Sequence, residues 1–125
     1  VTLTFQYCDV TEGRARGKLR AWLDALAAEA GGHIVVAFAI ESHRSGAIHV
    51  HALIAFSEGS QPVAIPLGED LWTMGFARIR VFGSGAGGAW YVTKSGNWDL
   101  TAGCPRRHQC RRHNGCAFFL KYLKP

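Results

Sequence analysis

Few features of this chain are long or repetitive, and each shortage excludes something. No apolar run approaches the length of a membrane span, so no transmembrane segment and no membrane partner is expected. Methionine occurs once and proline four times, and no low-complexity linker or internal repeat divides the 125 residues. That length fits one domain, 1–125, with an Arg- and Cys-rich C-terminal segment from about residue 100. Acidic residues are fewer than basic ones, 9 against 14, and the net charge of +5 favours an anionic partner. No charged-then-apolar leader opens the chain, which starts at Val1, so a piece of a longer protein is expected. Cysteine is sparse until the tail, where Cys104, Cys110 and Cys116 crowd together; a disulfide framework would spread further along the chain. An intracellular, cytoplasmic setting is the expectation.

What is present is patterned for a small α+β domain. Val1 to Tyr7 alternates and reads as a strand. Asp9 and Thr11 are helix-start residues, and Leu19, Trp22, Leu23, Leu26, Ala27 and Ala30 keep the period of one buried helix face until Gly31-Gly32 ends it. His33 to Glu41 is apolar almost throughout and reads as an interior strand. The turn chemistry of Ser42 to Gly46 joins it to a strand over Ala47 to Phe56. Ser57 to Thr73 reads mostly as loop, Phe76 to Phe82 as a strand, and Ala89 to Lys94 as a short helix stopped by Gly96. Ala117 to Leu123 reads as a last strand or helix. The order implies a central antiparallel sheet flanked by helices.

His49-Val50-His51 is the sharpest local signal. Residues two apart on a strand share a face, so both imidazoles can converge on one metal ion while Ile48, Val50, Ala52 and Ile54 pack the other side. Glu41 ends the preceding strand and joins the histidine face if odd-numbered residues pair with odd-numbered ones. Two imidazoles and a carboxylate suit a divalent ion that takes a phosphate oxygen. The plain alternative is a pair of hydrogen-bonded sheet histidines.

Tyr91 and Lys94, three apart, fall on one face of a helix. A phenol can attack phosphorus, and a nearby ammonium can neutralise the charge that develops. Gly83, Gly85 and Gly88 fit a dinucleotide-binding spacing, but the parallel strand and distant acidic residue that such a site needs do not follow, so a hinge is the better reading. Arg78 and Arg80 alternate onto one strand face, and Arg106, Arg107, Arg111 and Arg112 cluster in the tail; both sets suit a DNA phosphate track. Trp72, Trp90 and Trp98 read as core before they read as stacking surfaces. For the tail, Cys104, His108, Cys110 and Cys116, with His113 in reserve, offer a Cys₃His set for a structural Zn²⁺, though without the paired spacing of zinc ribbons; unpaired or disulfide-bonded cysteines are the alternative.

In order, VTLTF, HVHALIAF, Leu71-Trp72 with Gly75, and YVTK resemble the motifs of the replication-initiator (Rep) branch of the HUH endonucleases, over roughly residues 1 to 95. The resemblance implies an antiparallel sheet with the histidine pair on a central strand. It also implies metal-dependent nicking and joining of single-stranded DNA at a rolling-circle origin of a plasmid or virus, through a 5′-phosphotyrosine. Carried over by position, Glu41, His49 and His51 match the ligands of Mg²⁺ or Mn²⁺, Tyr91 the nucleophile and Lys94 its companion. Ser95 stands where some relatives have a second tyrosine, so one nucleophile is expected. No G-x-x-x-x-G-K-[ST] motif occurs, so a helicase would come from missing sequence or from the host. Single-strand transposases and relaxases share this chemistry. A non-catalytic nucleic-acid-binding module with a zinc-stabilised tail explains the charge and the cysteines without it. Tyr122 is a rival nucleophile that fits better as packing beside Phe118 and Phe119.

Overall fold

A computed structural model describes residues 1–81, Val92, Lys94 and 96–105. The elements run β1 (Thr2–Thr4), α1 (Glu12–Ala30), β2 (Ile34–Ser42), β3 (Ile48–Phe56), α2 (Ile65–Asp70), β4 (Ala77–Arg78) and β5 (Trp98–Gly103). Five strands form one antiparallel sheet in the order β4-β1-β3-β2-β5. The chain is therefore α+β, with a central antiparallel sheet and flanking helices.

Helix α1 forms where its apolar period begins. The Thr11 side chain accepts a hydrogen bond from the Arg14 N–H, and Gly31, at φ 68, closes the helix in the left-handed region with hydrogen bonds back to the last turn. All six residues of the expected stripe, Leu19, Trp22, Leu23, Leu26, Ala27 and Ala30, are buried. They meet Leu3, Ile34, Val36, Phe38, Val50 and Ala52, the alternate residues of β1, β2 and β3. Each fully buried leucine or isoleucine here contributes about 1.5–3 kcal/mol of apolar burial. Because side chains alternate along a strand, this packing commits the other face of β3 to His49 and His51.

The structure adds to or shortens the expected elements in four places. The stretch from Ser57 to Thr73 is mostly loop, as expected, but it also carries α2, Ile65–Asp70, with Pro66 in its first turn. Its six residues are too few to show a period. Tertiary bonds hold the helix, with the Trp22 indole N–H donating to the Gly68 carbonyl at 3.0 Å and the Ile79 N–H to Glu69 Oε1 at 2.8 Å. The strand expected from Phe76 is reduced to Ala77–Arg78. β1 is likewise shorter than its alternation suggested, although Gln6 N–H still donates to the Met74 carbonyl at 2.8 Å. Gly75 makes that approach feasible, since a Cβ there would strike the backbone of Thr4 to Gln6. Finally, a strand that the sequence reading did not anticipate precedes Cys104. Residues 98–103 are β5, paired along β2 from Ala39↔Trp98 to Ile34↔Gly103.

The helix expected at Ala89 to Lys94 lies outside the described residues apart from Val92, which is helical and buried, and Lys94. Gly96 beyond it has φ 72, as a helix stop requires. The last element expected at Ala117 to Leu123 also lies outside them.

Candidate active site

The site is built on the face of the sheet opposite α1. β2 and β3 pair antiparallel with Glu41 opposite His49 and Ala39 opposite His51. Odd residues thus meet odd residues, and Glu41 shares the histidine face. On its other side β3 pairs with β1, placing Thr2 opposite His51 and Thr4 opposite His49. One rung crosses the whole sheet on this face, Arg78, Thr2, His51, Ala39 and Trp98. On the same face of β2 stand the small side chains of Ala37 and Ala39, the latter buried.

His51 is buried, 5% exposed, with a ring nitrogen toward a neighbour on each side. Its Nε2 lies 3.4 Å from Glu41 Oε2, and its Nδ1 lies 3.4 Å from Thr2 Oγ1. Burial holds its pKa below the ordinary imidazole value; Glu41 works against that shift, while Lys94 and His49 add to it. Desolvation wins, so the Glu41–His51 contact joins a carboxylate to a neutral ring. The second oxygen, Glu41 Oε1, lies 3.8 Å from Lys94 Nζ. The His49 ring centroid is 6.5 Å from that of His51 and 5.2 Å from that of His43 in the hairpin turn.

Glu41, His51 and Lys94 are thus brought together, with His49 on the next rung. A neutral imidazole and a carboxylate are metal-ligand chemistry. Two atoms that each bind one ion at roughly 2.1 Å lie roughly 3.0–3.4 Å apart, and the Glu41–His51 spacing fits. His49 is in register but leans toward His43. Among the described residues no group of three His, Cys, Asp or Glu side chains is gathered tightly enough to hold an ion.

Arg78 is exposed on the His51 rung; Arg80 is exposed past the end of β4. Trp72 is core, as expected: its indole N–H donates to the Thr4 carbonyl at 2.9 Å and its ring packs edge-on against Phe5 and Trp22. Trp98 is half-buried at the end of the same rung as His51. Cys104 is buried just past β5, and its N–H donates to Asp24 Oδ1 at 3.0 Å. Its neighbour Gly103 pairs with Ile34, seven residues and roughly 23 Å along β2 from Glu41, so Cys104 belongs to no centre shared with the histidines. Tyr91, Trp90, Tyr122, Arg106, Arg107, Arg111, Arg112, His108, Cys110, His113 and Cys116 lie outside the described residues.

Two neighbours of the site were missed from the sequence. Thr2 was legible in the alternation of VTLTF, which sends Thr2 and Thr4 to the face opposite Leu3. His43 was passed over as turn chemistry, and nothing in SHRSG signals its approach to His49. Among the described residues no helix is long and apolar enough to cross a membrane. No protein-family model, no curated protein and no solved structure matches the chain.

Proposed function

We propose that the protein nicks and rejoins single-stranded DNA at a replication origin, using a tyrosine nucleophile beside a divalent-metal site. One observation carries the reading: a carboxylate and a neutral imidazole at ligand spacing on adjacent strands, with a second imidazole in register and an ammonium on the carboxylate's free oxygen. A purely structural histidine pair needs neither the carboxylate nor the lysine.

Glu41, His49 and His51 would hold Mg²⁺ or Mn²⁺, with His49 turning from His43 to complete the set. When bound, the ion polarises the scissile phosphate. His51 keeps its lone pair at neutral pH because burial disfavours its protonated form. Lys94 offers a point cation to a phosphate oxygen. Arg78, on the His51 rung, and Arg80 beyond it offer further phosphate contacts. The Tyr91 oxygen attacks phosphorus as the bond to the 3′-oxygen breaks; the phenol gives up its proton and the departing 3′-oxygen gains one. The 5′-phosphotyrosine retains the bond energy, so a later 3′-hydroxyl can reverse the step and reseal the strand. Origin nicking, transposition and conjugative transfer differ in the DNA presented rather than in this chemistry. A helicase partner would supply unwinding.

The test is a covalent adduct. Incubated with a pool of single-stranded oligonucleotides and Mn²⁺, the protein should give a gel-shifted species that survives SDS, and Tyr91→Phe should abolish it. An adduct that persists in Tyr91→Phe moves the nucleophile to Tyr122. His49→Ala should lose cleavage while keeping its circular dichroism spectrum. DNA binding without any adduct would instead establish the non-catalytic nucleic-acid-binding module.

A further inference from the structure

Glu41 is addressed from both sides. His51 Nε2 faces one carboxylate oxygen at 3.4 Å, and Lys94 Nζ faces the other at 3.8 Å. The two neighbours are not equivalent. The buried imidazole brings a dipole, whereas the lysine brings a full positive charge. Together Glu41 and Lys94 sum to zero, and a neutral site is a poor one for a doubly charged ion. A cation on Glu41 would also lie within a few ångströms of the ammonium, where like charges repel. This is a physical reason why the described residues do not close into a ligand set.

We infer that Lys94 is the resident counter-cation of Glu41, competing with the divalent metal for that carboxylate and released when the metal binds. The inference rests on the reading of Glu41, His49 and His51 as metal ligands and adds an order of events to it. The Lys94 side chain is 31% exposed, so its ammonium can move into water without crossing the core. Once displaced, it is available to a substrate phosphate oxygen. Metal and phosphate therefore bind with positive coupling: the phosphate draws off the competitor of the metal, and the metal frees the ligand of the phosphate.

Isothermal titration of the whole chain with MnCl₂, without DNA, separates the possibilities. Lys94→Met should bind Mn²⁺ about fivefold more tightly than the parent, the order expected when the metal no longer has to break a partly solvated ion pair. Lys94→Arg, which keeps the charge, should stay near the parent value. Lys94→Gln gives a second neutral side chain should the methionine variant fold poorly by circular dichroism. Tight binding by both neutral variants supports the competition. Equal or weaker binding by them, with a parent that binds, overturns it and leaves the metal site standing. Tight binding by Lys94→Arg overturns it as well, because charge would not be the cause. If no form binds Mn²⁺, the metal reading of Glu41 and the histidines falls, and the inference with it.

Discussion

A buried imidazole beside a carboxylate can lower its energy by taking a proton and forming an ion pair, or by staying neutral and avoiding the cost of burying charge. His51 takes the second course, since burial outweighs the attraction of Glu41. This has a consequence for stability. In the unfolded chain His51 protonates near its ordinary value of 6.5, while in the folded chain it resists protonation. Below that value the unfolded state binds more protons, so stability present above pH 6.5 is lost as pH falls through and below it. His51→Gln should therefore flatten the fall in Tm between pH 7 and pH 5, read by circular dichroism melts of both proteins. Parallel melting profiles would show that the ring carries no such cost. Thr2 completes the arrangement. Its hydroxyl faces Nδ1 and can donate or accept, so it can serve either neutral tautomer of His51.

At the scale of elements, one very close approach lies where α1 crosses β5. A Cβ on Gly103 would meet the Leu23 carbonyl and the Ile34 side chain, so only glycine lets the helix backbone approach the strand. Gly103→Ala should cost about 1–3 kcal/mol in urea unfolding, because the neighbours on both sides are backbone or core. The same contact explains what could be read from the chain in advance. α1, β2 and β3 announced themselves through runs long enough to show a period, whereas the register that joins Glu41 to His49 was left conditional on odd residues pairing with odd ones, a condition the hairpin meets. β5 did not, because Trp98–Gly103 mixes a charge, a threonine and a glycine with few apolar residues. Its strand character comes from pairing with β2, more than fifty residues away in sequence. α2 was hidden for a similar reason, its stability residing in bonds donated to it by Trp22 and Ile79. Of the site, the strand positions of Glu41, His49 and His51 were legible. The Lys94–Glu41 contact was not, because spacing along the chain gives no distance between separate elements.

For the whole molecule, the basic excess matters through its distribution. Near the site, Lys94 and Arg78 stand on the sheet face away from α1 or at its border. On the α1 side, Arg16 is engaged by Glu12 at 3.0 Å and Asp99 at 3.4 Å and lies over the Phe38 ring, so its charge is largely answered locally. Under the proposed function a strand of DNA should approach from the histidine side. Arg78→Ala should weaken oligonucleotide binding across sequences and reduce the slope of log K against log salt by about 0.7, the increment for one phosphate contact on a single strand. Arg16→Ala should leave that slope unchanged. Fluorescence anisotropy over a salt series measures both, and equal slopes for parent and Arg78→Ala would remove Arg78 from the DNA path.

The middle position of β3 carries one more implication. Its backbone is bonded to β1 on one side and β2 on the other, so the amides of His49 and His51 should exchange with deuterium among the slowest in the chain. Under the proposed function, turnover would not rely on bending of the ribbon that bears the imidazoles. Adjustment during such a cycle would come from side-chain rotation at Glu41 and His49 and from Lys94, around an anvil that stays still.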